Sequence, residues 1–263
     1  MLPLICIDVD GTLVGPTGIP TDAVWAAADA AVGRGQHLAL STARGAMGST
    51  YEWAQRLDPS GWHVFHAGGA LVHTGTGETV EEALDEAVVD TAVEASRAHG
   101  WILEFYDARD YRVNDASPMA VDHASLMGVP HSFGSRDDIS SIVRVQFVVP
   151  HAEVAGVTEV MRELAEVSTA TSPVMTDATF VSITPHGVTK ATAIAQIAAT
   201  LGATMADVMM VGDGHNDLVA IAAVGHGVAM GNAQPEVAAA ARHHVGNVTD
   251  DGLAEALELS RHL

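Results

Sequence analysis

The sequence predicts an α/β protein in which one domain is inserted into another, and three observations lead there. Leu4–Ile7 is a short, wholly apolar run that ends at Asp8, which is how a parallel strand buried on both faces reads. Apolar runs alternate with helix-length segments up to about residue 66 and again after Pro185, as a parallel sheet with crossover helices requires. Between these stretches, turn-linked strands mix with helices, the pattern of a separate α+β module.

The elements follow in order. The run ending at Asp8 is expected to be the central strand. Thr21 or Asp22 can cap a helix reaching about residue 33, with Gly35 as its stop, and a second strand spans residues 37–40. A helix over residues 46–57 and a strand over 64–66 complete the first alternating stretch. After Gly68, residues 70–73 and 78–80 flank the turn residues 74–77 and read as a hairpin. The middle segment reads as a helix (86–99), strands (101–106 and 111–113), a helix (118–127), a strand (142–149), a helix (152–164), and strands near Val167 and at 179–183. Alternation resumes with a helix over 189–201, a strand at 208–211, a helix from Asn216, a strand at 227–230, and helices near Pro235 and Gly252. The outer domain is therefore placed at about residues 1–80 and 186–263, with 81–185 inserted.

Composition narrows the partners. With 12 Lys+Arg against 33 Asp+Glu, the formal charge is -21, which opposes a nucleic-acid backbone or an anionic membrane. A small molecule is the expected partner, and the protein a monomer or small homo-oligomer. No run approaches the roughly 20 apolar residues of a membrane span, and the N-terminal stretch lacks a basic leader. The single Cys6, between Ile5 and Ile7, reads as a buried thiol in a reducing, cytoplasmic setting. The 14 histidines form no His-Glu-x-x-His zinc pattern, so core or surface roles are expected for them.

Four patches put polar residues just after an apolar strand or at a helix start, where open α/β sheets bind ligands. They are Asp8-Val9-Asp10-Gly11-Thr12, Ser41-Thr42-Ala43-Arg44, Thr189-Lys190, and Gly212-Asp213-Gly214-His215-Asn216-Asp217. Each alone has a plainer reading as a turn, a helix cap or a solvated lysine, and the argument is their convergence. Carboxylates gathered at one sheet edge repel by about 4 kcal/mol per pair at 4 Å and an effective dielectric near 20. A divalent cation relieves that repulsion, and hard oxygen ligands suit Mg²⁺. Asp8, Asp213 and the backbone carbonyl of Asp10 are the expected ligands. Asp8 can then attack phosphorus, with Asp10 as general acid and base. Lys190 neutralises charge, while Thr42, Asn216 and Gly11 are candidate phosphate contacts and Arg44 a candidate substrate contact.

Taken in order, the four motifs resemble those of the haloacid dehalogenase-like hydrolases, and Val228-Ala229-Met230-Gly231-Asn232-Ala233 is similar to a segment of the Cof-type branch. The resemblance implies a Rossmann-like, doubly wound core with an α+β cap that governs specificity. It also implies Mg²⁺-dependent hydrolysis of a small phosphorylated metabolite, with Asp217 orienting the metal ligands. Two departures stand out: Thr42-Ala43-Arg44 replaces a frequent Thr-Gly-Arg, and Gly68-Gly69-Ala70 replaces Asn-Gly-Ala. A phosphomutase and a non-catalytic phosphate-binding module are the alternatives, and Asp10 speaks against the second. Tyr106, Asp107, Arg109 and Arg112, on a hairpin of the inserted module, are its candidate substrate contacts.

Overall fold

The computed structural model describes residues 1–171 and 175–263, which form two compact units. The first comprises residues 1–43, 53–79 and 189–263, and the second residues 44–52 and 80–188.

The chain opens with β1 (Leu4–Ile7), α1 (Asp22–Gly33) and β2 (His37–Leu40). Thr21 caps α1 by accepting the Val24 amide, one of the amides a helix start leaves unpaired. Next come α2 (Gly48–Leu57), β3 (Trp62–Phe65), β4 (Ala70–His73) and β5 (Thr79–Glu81). The parallel alternation expected through residue 66 stops short of β3. That strand touches β2 through one parallel bridge, Ser41 to Val64, and pairs antiparallel with β4. His66 does not extend it, because His66 and Ala67 turn left-handed at φ 51° and 57°.

The second unit contains α3 (Glu86–His99), β6 (Ile102–Tyr106), β7 (Tyr111–Val113), α4 (Pro118–Met127), β8 (Arg144–Pro150), α5 (Val154–Met161), β9 (Glu166–Thr171) and β10 (Ala178–Thr184). Its sheet has the order β7-β6-β8-β10-β9, with antiparallel neighbours. Alternation along the strands sends Leu103, Phe105, Val145 and Phe147 towards Val88, Val89 and Val157 of α3 and α5. Ile102, Tyr106 and Phe180 pack with Ala120 and Ala124 of α4. Residues 44–52 cluster here: the Ala46 amide donates to Ala108 O at 3.4 Å, and the Arg109 guanidinium lies over the Tyr51 ring.

The first unit resumes with α6 (Lys190–Thr200), β11 (Val208–Gly212), α7 (Leu218–Ala223), β12 (His226–Ala229), α8 (Pro235–Ala240), the two-residue β13 (His243–His244) and α9 (Gly252–Leu259). Its main sheet runs β13-β12-β11-β1-β2, parallel throughout. Leu4, Cys6 and Met210 pack with Ile194 and Ile197 of α6 and Ile221 of α7. The chain leaves β1 towards β2 on one side and returns to β11 on the other. The β1/β11 junction is therefore the switch point, where the carboxyl ends of strands leave a crevice.

The candidate substrate contacts of the inserted module have the following partners in the fold. Tyr106 is buried and donates its hydroxyl to Glu104 Oε2 at 2.6 Å, while Asp107 Oδ1 accepts the Arg109 and Asp110 amides and Arg112 pairs with Asp110. Period-two alternation places Tyr106 on the same sheet face as Glu104, beneath α4.

That face carries a buried polar network. Glu104 Oε1 lies 2.6 Å from His123 Nδ1, and Oε2 also accepts Gln146 Nε2 at 2.9 Å. Burial opposes the Glu104 charge, yet His123, the Tyr106 hydroxyl and Arg144 hold its carboxyl below the ordinary value. A carboxyl depressed on folding adds stability above its unfolded pKa, and that stability is lost as pH falls. Glu104→Gln, which turns an amide donor on these donors, should cost about 2–4 kcal/mol at pH 7. Urea unfolding at pH 7 and 3 checks this: the deficit should shrink at the lower pH, and equal stability of the two proteins at pH 7 would exclude the network as a stabilising feature.

Candidate active site

Three strand ends of the main sheet and one helix start supply the site. Asp8 follows β1, its amide donating to Val211 O at 3.0 Å, so the nucleophile candidate is tied to the neighbouring strand. The chain then turns tightly, with Leu13 N donating to Asp8 O and Gly11 N to Val14 O. Gly11 makes this turn at φ +84°, and a Cβ there would fall 2.2 Å from Asp213 Oδ2. No side chain fits between the two loops.

Lys190 is the first residue of α6. Thr189 caps the helix by accepting the Thr192 amide at 3.2 Å, and Ala191, Ala193, Ile194 and Ile197 bury its inner face. These anchors aim the Lys190 side chain into the sheet edge at 2% exposure. Its Nζ donates to Asp8 Oδ1 at 2.6 Å and to Asp217 Oδ1 at 2.5 Å. Asp217, fully buried, uses Oδ2 to accept the Asp213 and Gly214 amides at 3.1 and 3.0 Å. It therefore holds the loop after β11 as well as the lysine.

Asp8, Asp213 and Asp217 each offer a carboxylate oxygen within 4.8 Å of the others, and no second such group occurs among the described residues. Three carboxylates face one ammonium. Burial, then the Asp217 carboxylate, pushes the Asp8 carboxyl well above its ordinary value against the pull of Lys190. Burial likewise raises Asp213 to about 6, with Asp217 adding to it. Burial disfavours the Lys190 ammonium, but Asp217 and Asp8 reverse that and raise its pKa; the lysine stays charged.

This donor set fits a hard divalent cation. It is all oxygen, it carries surplus negative charge, and two of its members are raised in pKa by burial and by the Asp217 carboxylate. Both oxygens of Asp217 accept hydrogen bonds, whereas Asp8 and Asp213 each have one oxygen so held by Lys190 and Asn232 respectively.

The other candidates differ in exposure. Thr42 is buried at the end of β2, its amide donating to Val64 O and its carbonyl accepting Ala67 N. Asp10 and Asn216 are exposed and Gly11 is half-buried. Asn216 lies in a short 3-10 turn, His215–Asp217, that precedes α7. Half-buried Arg44 falls in the segment that clusters with the second unit. Of the histidines, His63 is a core residue: Nδ1 accepts the Leu40 amide, Nε2 faces Asp58 O, and burial lowers its pKa to about 4. Sequence reasoning gave no role to Asn232, whose Nδ2 donates to Asp213 Oδ2 at 3.0 Å and to Gly11 O at 2.8 Å. A polar residue three positions past β12, at the same sheet edge as the other motifs, was the available signal.

A family model described as haloacid dehalogenase-like hydrolase matches residues 5–257. A Bacillus subtilis (strain 168) protein bearing the name "Putative phosphatase YxeH" is 32% identical over 267 residues, covering 98% of this chain and 97% of its own. The same organism's 5-amino-6-(5-phospho-D-ribitylamino)uracil phosphatase YcsE is 27% identical, covering 97% of this chain and 94% of its own. Among solved structures, a haloacid dehalogenase-like hydrolase from Bacteroides thetaiotaomicron superposes with a TM-score of 0.86 at 25% identity, over 98% of this chain and 99% of its own.

The ammonium between two buried carboxylates yields a stability test. Lys190→Met leaves Asp8 and Asp217 without their counter-charge and should cost about 3–5 kcal/mol at pH 7.5. The Asp8 carboxyl, which burial already holds above its ordinary value, then loses the ammonium that pulls it down, so the folded state binds more protons and the deficit narrows as pH falls. Urea melts at pH 7.5 and 5.5 should show that convergence, and a pH-independent deficit would assign the loss to packing instead.

Proposed function

We propose a reaction for this chain, which belongs to the haloacid dehalogenase-like hydrolase family: the Mg²⁺-dependent hydrolysis of a small phosphorylated metabolite through an aspartyl-phosphate on Asp8. The chain is a phosphoric monoester hydrolase by its family and its relatives. The observation that carries the finer reading is the buried Lys190 ammonium, 2.6 Å from Asp8 and 2.5 Å from Asp217, beside an oxygen-only carboxylate group.

An oxygen of Asp8 attacks phosphorus, forming one P–O bond as the ester P–O bond breaks. Asp10 gives its proton to the departing oxygen. In the second half, Asp10 takes a proton from water, whose oxygen bonds to phosphorus as the Asp8–phosphorus bond breaks, and inorganic phosphate leaves. A bound Mg²⁺ supplies screening between the carboxylates and the phosphoryl oxygens, and polarises phosphorus for attack. Lys190 balances charge on Asp8 through both steps, while Thr42, Asn216 and the Gly11 amide are suited to donate to phosphoryl oxygens. The exposure of Asp10 suits a group that trades protons with solvent.

The phosphorylated ribityl compound in one relative's name supports a sugar phosphate or similar monoester as substrate. A panel of sugar phosphates tests this with phosphate release as the readout, and isomer formation without release would overturn hydrolysis in favour of a mutase.

Asp8→Asn should lower kcat at least about 10³-fold with the fold intact by circular dichroism, and near-native turnover would remove Asp8 as nucleophile. With an aryl phosphate, whose leaving group needs little protonation, Asp10→Asn should accumulate phosphorylated Asp8, detectable by intact mass.

Protons and cation compete for the Asp213 carboxylate, whose pKa lies at about 6. The Mg²⁺ concentration giving half-maximal rate should therefore rise about tenfold from pH 7.5 to 5. Chelation should abolish activity and Mg²⁺ restore it; activity unaffected by exhaustive chelation would exclude the metal.

A further inference from the structure

We propose that Asn232 is a positioning residue for the cation site, holding the carboxylate of Asp213 and the peptide after Gly11 in one fixed arrangement. The inference rests on the metal-dependent reading above and adds a residue that the reading does not need in order to stand.

Asn232 belongs to none of the four motifs. It lies beyond β12, half-buried, and its side chain spans three separate loops. Nδ2 donates to Asp213 Oδ2 at 3.0 Å and to Gly11 O at 2.8 Å. Oδ1 accepts the Val248 amide at 2.9 Å. These bonds fix the sense of the amide, because a flipped group would set its oxygen against two acceptors and its NH₂ against a donor.

The two oxygens that Asn232 bridges need such a group. The Gly11 loop presses on Asp213 closely enough that a Cβ at residue 11 would fall 2.2 Å from Asp213 Oδ2. The Gly11 carbonyl and the Asp213 carboxylate accept from the same Nδ2 at 2.8 and 3.0 Å, and two acceptors so placed repel unless a donor lies between them. An amide does this without adding positive charge, leaving the negative potential that a cation requires. Lysine in its place would compete with the cation.

The consequence for ligation is specific. With Oδ2 engaged by Asn232, Asp213 Oδ1 is the atom left for a metal, since among the described residues it receives only a long bond from the Thr12 hydroxyl at 3.4 Å. The backbone on either side is pinned as well, with Met230 N donating to Gly212 O and Gln234 N to Asp213 O. The loop after β12 thus buttresses the one after β11 through both main chain and side chain, and Asn232 is the point where that support reaches a ligand atom.

The test compares the parent protein with Asn232→Ala and with Asn232→Leu, which keeps the volume should the cavity in the first variant unfold it. Titration calorimetry with Mn²⁺ should give about tenfold or greater weakening in both variants. The half-saturating Mg²⁺ concentration for activity should rise by a similar factor, while kcat at saturating Mg²⁺ stays within about threefold of the parent. Melting temperatures without metal should fall by no more than about 5 °C, the loss expected from these hydrogen bonds at a half-exposed site, and a larger fall would mark general loosening and overturn the proposal. Variants that bind Mn²⁺ within about twofold of the parent, or that lose kcat with metal affinity unchanged, would overturn the proposal. A parent protein that binds no divalent cation would instead sink the metal-dependent reading itself.

Discussion

The ammonium of Lys190, buried between Asp8 and Asp217, is the interaction on which the candidate site depends. A lysine at 2% exposure is tolerable only when its charge is matched and its protons are bonded, so both carboxylates are structural requirements as well as functional ones. Its position in turn requires α6 to start at one place. The Thr189 cap sets that start, and the turn after β3 supports it from outside. There, Gly68 adopts φ +115°, and a Cβ would fall 2.4 Å from Thr189 O. The positive φ and the close backbone approach together account for glycine at this position.

The charge balance explains why the site wants a cation despite holding a lysine. The protein as a whole carries a formal charge of -21, and its site gathers three carboxylates around one ammonium. An anionic phosphate would meet repulsion both at long range and on contact. Burial raises the Asp8 and Asp213 carboxyls, and the Asp217 carboxylate raises them further. A divalent ion would bring the cluster near neutrality and leave Lys190 free to follow charge as it moves between Asp8 and the phosphoryl group.

The sequence discloses those parts of the fold that depend on local pattern. β1 and β11 are legible because strands buried on both faces must be apolar throughout, and all four residues of β1 are fully buried. Asp8, Lys190, Asp213 and Asp217 are legible as candidates because each follows such a strand or opens a helix. What stays hidden is set by long-range packing. The left-handed turn at His66 and Ala67 cuts β3 short, and neither residue type announces a positive φ. The two-residue β13 is recruited by pairing with β12 rather than by its own composition. Tyr106 reads as part of an exposed hairpin, yet alternation along β6 turns it inward beneath α4, where Glu104 accepts a hydrogen bond from its hydroxyl. Asn232 shows the same limit, since its partners lie 19 and 221 residues away in sequence.

Asp8 and Asp10 are two residues apart and chemically identical, so any division of labour between them must come from their surroundings. Asp8 ends a strand inside the sheet, at 4% exposure, with one oxygen already held by Lys190. The ammonium it shares with Asp217 fixes its position, as in-line attack would demand. Asp10 lies past the end of the strand, on the turn that Gly11 makes possible, and is exposed to solvent. A group there can lose and regain a proton between half-reactions, whereas Asp8 would have to break its bond to the ammonium to do so. In the proposed reaction, the strand terminus thus gives Asp8 a setting suited to a nucleophile and Asp10 one suited to an acid and base.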